Sequence, residues 1–447
     1  MRALIVAYYF PPKGGAGTQR FAKFAKFLPA HGVEPVVLTV DEGLRSEHAP
    51  IDDQSLLEQT RCEVLRVPPP PRATSMQRLR RRLRLHVDED EWAAAAAERA
   101  LAAARERKFD VCVTTLSPYA NSTIGARLQQ ELGVPWVVDL RDPWALDAWR
   151  VYPTPLHARR DLARLARVLR QADFVIANVP EARRAFLDLG ADPARTVVIP
   201  NGYDEEDFAS AAAPGADPAR PFTLVHMGTF HPADLPPGLT RNRWRRVRHR
   251  QIEPLGRTGY YLLHAVAAWL GANPAARARL AVRLFGRADA SHERLIHALG
   301  IGDVVRTEGY LPHRESIAAL AAADAVFVPL HGLPAGERAL VVPGKLYEAL
   351  ASERPVLAAL PEGDGADLVR RLDAGLVAGA TDAAAIAAAL GTLFTAWQRG
   401  AAHRGCARER LVGFSRRRLT GLLAQVLSAA AGGRRTVEVV DPWRALG

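Results

Sequence analysis

The chain has 447 residues, about three times a typical single-domain length, so two domains are expected rather than one core. Hydrophobic residues at 48% and charged residues at 24% are ordinary globular values and exclude a disordered, collagen-like or disulfide-framework protein. The 59 Lys and Arg outnumber 48 Asp and Glu, a net +11 with a pI near 10.0, which calls for an anionic partner: nucleic acid, a phosphorylated metabolite or a membrane surface.

In chain order, Ala3–Tyr9 reads as a strand and Thr18–Ala30 as a helix, with Phe21, Phe24, Ala25 and Leu28 at the i, i+3, i+4, i+7 spacing of a buried face. Strands follow at Glu34–Val40, Asp110–Thr115, Pro135–Leu140, Phe174–Asn178 and Thr196–Ile199. Helices read between them at Trp92–Ala104, Ala120–Leu132, Leu156–Gln171 and Glu181–Leu189. Strand–helix alternation implies a parallel sheet covered on both faces, a Rossmann-like half over residues 1–200. Residues 201–220 are polar, rich in Ala, Pro and Gly, and read as a linker.

The alternation restarts over 221–415: strands at Phe222–Met227, Leu280–Phe285, Val304–Thr307, Ala325–Pro329 and Pro355–Ala358, and helices at Tyr260–Leu270, His292–Leu299, Glu315–Ala322 and Leu346–Ser352. A basic insertion occupies about 231–257, a final helix 416–430 is expected to return toward the first unit, and 431–447 reads as a tail. Ligands of such sheets bind beyond the carboxyl ends of the strands. The three cysteines, Cys62, Cys112 and Cys406, are scattered and odd in number, which fits a reducing compartment. Met1–Phe10 lacks a signal-peptide core, and no apolar run reaches the ~18 residues of a membrane span, so a cytoplasmic location is expected.

Two segments concentrate the positive charge. Gln77–His86 sets Leu79, Leu83 and Leu85 among five arginines, and Thr240–Gln251 carries six arginines with Trp244. Either could rest on anionic lipid or be a plain solvated run. Nucleic acid has no zinc-finger, RRM or helix-turn-helix pattern to support it.

Four motifs stand where chemistry is expected. The first strand leads into Lys13-Gly14-Gly15-Ala16-Gly17-Thr18 ahead of a helix, a loop suited to phosphate. Gly15-x-Gly17 partly matches a dinucleotide fingerprint, but Arg20 replaces the third glycine. With Asp41 after the second strand, a nicotinamide oxidoreductase therefore stays open. Asp139, Arg141 and Asp142 in DLRDPW crowd the end of a buried strand, as a site or as a structural ion cluster. Lys345 begins a helix after Pro343-Gly344, where the dipole opposes a cation unless an anion binds, and Glu348 follows on the same face. The fourth is Asn201-Gly202 after Ile199-Pro200, a turn signal.

Taken together, the glycine loop, DLRDPW, IPNGYD, HMGTF and PGKLYEALASERPVLA resemble, in this order, the glycosyltransferases of the GT-B fold, family 4-like, from Ala3 to about Leu427. The resemblance implies an α/β fold with two Rossmann-like parallel-sheet domains facing across a cleft. It implies sugar transfer from a nucleotide-diphosphate-sugar donor to a hydroxyl of a glycan or lipid-linked acceptor, with retention, in cell-surface polysaccharide or glycoconjugate biosynthesis. On this reading Gly14, Gly15, Gly17, Gly228, Thr229, Arg287, Tyr310, Gly344, Lys345 and Glu348 hold the donor. Glu348 takes the ribose hydroxyls and Lys345 the phosphates.

No cofactor or metal is expected, since no DxD pattern lies at the donor site. Leu340 stands where the family has the first glutamate of E-x7-E, and Ser117–Ser122 lacks the family's histidine. The catalytic group is therefore open among Glu337, Asp139, Arg141 and Asp142, and a degenerate sugar-nucleotide-binding protein is a further alternative. Acceptors of this class place the protein on the inner face of the membrane, through Gln77–His86 and Thr240–Gln251.

Overall fold

The computed structural model describes residues 1–13, 16–42, 54–68, 88–209, 220–233, 248–286, 289–400 and 405–446. Gly14, Gly15, Arg287, Gln77–His86 and all but the last four residues of Thr240–Gln251 lie outside them. The chain divides into two compact units: Met1–Asp147, Arg159–Asn201 and Arg416–Ala445 form the first, and Ala148–Ala158, Gly202–Ser415 and Leu446–Gly447 the second.

The first unit is built on strands β1 (Arg2–Val6), β2 (Glu34–Val40), β3 (Glu63–Val67), β4 (Val111–Thr115), β5 (Trp136–Leu140), β6 (Phe174–Ala177) and β7 (Thr196–Val198). They form one sheet in the order β3-β2-β1-β4-β5-β6-β7, parallel at every pairing. Apolar runs such as VCVTT and WVVDL are buried along their whole length because helices cover both faces. On one face Phe21, Phe24 and Leu28 pack with Leu419, Leu423, Val426 and Leu427 of helix Arg416–Ala431. On the other, helix Asp88–Glu106 seats Trp92, Ala96 and Ala100. Beyond Arg416–Ala431, Val437 and Val439 pack on the same core and Trp443 is buried.

The second unit repeats the plan with β8 (Phe222–Met227), β9 (Leu280–Phe285), β10 (Val305–Gly309), β11 (Ala325–Pro329), β12 (Val356–Ala359) and β13 (Gly375–Ala378), ordered β10-β9-β8-β11-β12-β13 and all parallel. The order reverses beside β1 and beside β8. A crevice therefore opens at the carboxyl end between β1 and β4 in the first unit, and between β8 and β11 in the second.

Several elements have no counterpart in the sequence reading. β3 and β13 are edge strands, the first broken by charge (EVLRV) and the second four residues long. Helix Ala383–Gln398 is apolar around most of its girth, with no amphipathic stripe to betray it; it packs on helix Tyr260–Ala272 and buries Ile386, Leu390 and Phe394. Helix Asp364–Arg371 is amphipathic but only eight residues long, and the sequence reading has no helix there. Within 201–209, Tyr203 and Phe208 are buried in the second unit, so this stretch is part of its fold.

Candidate functional site

At the crevice of the second unit, β8 runs out into Gly228-Thr229-Phe230-His231. Gly228 takes φ +111° and donates its N–H to the Phe285 carbonyl at 2.8 Å, tying the turn after β8 to the end of β9. Gly286, at φ +117°, backs this turn so closely that a Cβ on it would lie 2.3 Å from the Gly228 carbonyl carbon. Both conformations strain any residue but glycine, and at Gly286 the Gly228 backbone leaves no space for a Cβ either.

Helix Gly344–Ala351, which lies between β11 and β12, brings Lys345 to that turn. Its Nζ lies 1.8 Å from where a Cβ on Gly228 would stand, so the ammonium fills the space left by the missing side chain. Burial and the nearby Arg257 push the Lys345 ammonium down to about 7, partly offset by Glu348. A cation pressed against a helix start and a second cation is unfavourable by itself, and an anion between them would relieve both. Glu348 is half-buried, and its carboxylate makes no hydrogen bond or ion pair with any described residue. Thr229 and Gly344 are exposed, and Tyr310, just beyond β10, is 49% exposed.

The carboxyl-terminal end of the basic insertion is folded onto this region. Arg250 donates to Glu337 Oε2 at 2.9 Å and to the Arg338 carbonyl at 2.8 Å, and Arg248 donates to the Ala148 carbonyl at 2.8 Å. Trp149 Nε1 donates to His331 Nδ1 at 3.0 Å, which leaves the ring proton of neutral His331 on Nε2. His231 stacks on the same indole with centroids 4.6 Å apart. Burial among arginines pushes His331 down to about 3 and His231 to about 4, so both are neutral at physiological pH. Glu337 is thus held by Arg250 rather than standing free.

In the first unit DLRDPW resolves into two parts. Asp139 and Arg20 are fully buried, with Arg20 Nη2 donating to Asp139 Oδ1 at 2.6 Å and Thr115 Oγ1 to Oδ2 at 2.9 Å. The other face of Arg20 donates to the carbonyls of Ile199 at 2.8 Å and Pro200 at 2.6 Å. Arginine replaces the fingerprint's third glycine because it is the counter-ion of this buried carboxylate. Arg141 instead pairs with Asp142 at 2.8 Å and lies over helix Ala16–Phe27, its Nη1 2.5 Å from where a Cβ on Gly17 would stand. Trp144 turns the chain with φ +51°, stacked on Tyr119 at 5.0 Å and bonded to Asp161 at 3.1 Å.

The structure therefore brings together Gly228, Lys345 and Glu348 in one unit, and Gly17 with Arg141 in the other. Sequence reasoning passed over Arg257, Trp149 and His331. Arg257 carried a signal: it precedes helix Tyr260–Ala272 by three residues, the same cation-before-helix argument that singled out Lys345. Trp149 and His331 are 182 residues apart, with no local pattern to join them. Among the described residues no cluster of three or more His, Cys, Asp or Glu assembles as a metal-ligand set, and no helix is long and apolar enough to cross a membrane.

Residues 14–202 match the family described as glycosyl transferase 4-like domain, and residues 256–396 match glycosyl transferases group 1. The chain belongs to the family 4-like glycosyltransferases. It is 34% identical over 204 residues to the D-inositol 3-phosphate glycosyltransferase of Kineococcus radiotolerans, covering 44% of this chain and 41% of that protein. To the protein of the same name from Geodermatophilus obscurus it is 33% identical over 207 residues, covering 44% and 40%. These alignments span about two fifths of the curated relatives' length. Among solved structures, Anabaena HepE in complex with UDP and glucose superposes with a TM-score of 0.62 at 20% identity, over 96% of this chain and 100% of that one. WaaG, a glycosyltransferase involved in lipopolysaccharide biosynthesis, gives 0.59 at 15% identity, over 96% and 100%. At these identities the likeness establishes the GT-B fold: two parallel-sheet α/β units.

Proposed function

We propose that the protein transfers a sugar from a nucleoside diphosphate donor to a hydroxyl of a glycan or lipid-linked acceptor, with retention and without a metal. The observation that carries this is Lys345, whose ammonium is pressed against the Gly228 turn at the mouth of the β8–β11 crevice. In the reaction the bond between the anomeric carbon and the diphosphate oxygen breaks and negative charge grows on the leaving group. Lys345, Arg257, the Gly228–Thr229 backbone and the first N–H groups of helix Gly344–Ala351 are fixed positive groups for that charge. Two side-chain cations there do the work that a divalent ion does elsewhere, so activity persists in EDTA. Glu348, whose carboxylate has no hydrogen-bond partner among the described residues, accepts from the paired ribose hydroxyls. Solved neighbours with the same fold hold UDP and UDP-glucose, which supports a nucleotide-sugar donor. A role in cell-surface glycan synthesis at the cytoplasmic face of the membrane follows from such acceptors.

Thermal-shift measurements with UDP-, GDP- and dTDP-sugars and with NAD(P) test the reading. A nucleoside diphosphate sugar raises the melting temperature, and Glu348→Ala weakens that effect. A response to NAD(P) alone, unchanged in Glu348→Ala, refutes it. D-inositol 3-phosphate, named in the curated relatives, belongs in the acceptor screen.

A further inference from the structure

Helix Pro155–Gln171 has two unlike faces. One is packed: Leu165, Val168 and Leu169 are buried, and Asp161 accepts the Trp144 indole N–H at 3.1 Å. The other carries Arg159, Arg160, Arg164, Arg167 and Arg170, all exposed. At about 100° per residue these five fall within an arc of about 140° along a helix about 25 Å long. Leu156, 73% exposed, falls near the middle of that arc. None of the five side chains has a hydrogen bond or ion pair with a described residue, and the helix's single acid, Asp161, is on the packed side.

Arg160/Arg164, Arg164/Arg167 and Arg167/Arg170 sit at i, i+4 or i, i+3, where like charges weaken a helix. The fold thus holds a like-charged stripe toward solvent, against the helix's own preference. We propose that this face is a docking surface for the anionic headgroups of a lipid bilayer. The stripe matches a plane of phosphates in length and sign, and the exposed Leu156 supplies the apolar contact that a bilayer accepts and a duplex backbone does not. Its residues differ in sequence from the arginine-rich segments Gln77–His86 and Thr240–Gln251, and His249 of the latter bonds the Ala158 carbonyl of this helix at 3.1 Å. The inference deepens the lipid-linked acceptor reading and leaves the donor site untouched.

The test is co-sedimentation of the full chain with vesicles of phosphatidylcholine alone and of phosphatidylcholine mixed with phosphatidylglycerol, with UDP binding measured in parallel. The protein binds the anionic vesicles and releases them as salt rises. The triple variant Arg160→Gln, Arg164→Gln, Arg167→Gln binds them on the order of a hundredfold less, the product of about 1 kcal/mol per surface arginine, with UDP binding unchanged. Leu156→Ser weakens vesicle binding without altering its salt dependence. Equal vesicle binding by the triple variant, equal binding to phosphatidylcholine alone, or stronger retention by a short DNA duplex than by anionic vesicles overturns the proposal. Loss of UDP binding by the wild-type protein would instead overturn the donor reading.

Discussion

Arg20 and Asp139 are joined by a buried ion pair, 2.6 Å between Nη2 and Oδ1, that closes the carboxyl end of the first sheet. Arg20 also holds the Ile199 and Pro200 carbonyls, so one guanidinium fixes the end of β5 to the chain leaving β7. Removing either partner strands a charge with almost no access to water. Asp139→Asn and Arg20→Met should each cost about 3–5 kcal/mol in urea unfolding. A cost near zero would show that the pair is dispensable.

Gly228 and Gly286 respond differently to a methyl group. At Gly228 the added Cβ meets a movable lysine end, whereas at Gly286 it meets the Gly228 backbone 2.3 Å away. Gly228→Ala should fold with a moderate strain cost, about 1–3 kcal/mol, and lose donor affinity because Lys345 is displaced. Gly286→Ala should lose more stability than Gly228→Ala. Unfolding curves and UDP titrations on both variants check the order.

Lys345 gives donor binding a pH dependence of definite sign. The free ammonium titrates at about 7, and a bound diphosphate favours its charged form, so binding takes up a proton above that pH. Affinity for UDP-glucose, whose diphosphate does not titrate near neutrality, should be flat below about pH 7 and weaken as pH rises past it. Arg257→Ala removes a repelling cation, so it should weaken binding and move the fall to higher pH. Calorimetry in buffers of different ionisation heat reads the proton directly; affinity that increases with pH would contradict the assignment.

His331 and His231 act in the opposite range. Each is neutral when folded, with values near 3 and 4, while the unfolded chain titrates near the usual 6.5. The unfolded state therefore binds more protons between about 6.5 and those values. The contribution of the pair to stability is complete above 6.5 and is lost as pH falls through that window. Urea midpoints from pH 7 to 4 should drop less in His331→Asn than in the wild-type protein.

The double α/β alternation was legible because buried parallel strands are continuous apolar runs between amphipathic helices, and it led directly to the two sheets. What escaped lay at the edges, in β3 and β13, or lacked periodicity, as in Ala383–Gln398. Lys345 was readable as a local conflict between a cation and a helix dipole, and Glu348 as its neighbour three residues on along the same face. Arg20 was read only as a missing glycine, because its partner Asp139 lies 119 residues away. The ties of Trp149 to His331 and Arg250 to Glu337 likewise depend on long-range folding that no spacing encodes. Of the residues gathered at the crevice of the second unit, those set at a helix start could thus be picked out from sequence, and those supplied by the insertion could not.

The central claim is that Lys345 holds the donor diphosphate, and titration calorimetry of UDP into the wild-type protein and Lys345→Met tests it most directly. Losing a charge-assisted contact worth about 1.5–3 kcal/mol should weaken UDP binding by roughly ten- to a hundredfold while the unfolding midpoint holds or rises, since a buried cation has been removed. Equal affinity for UDP in the two proteins would contradict the account.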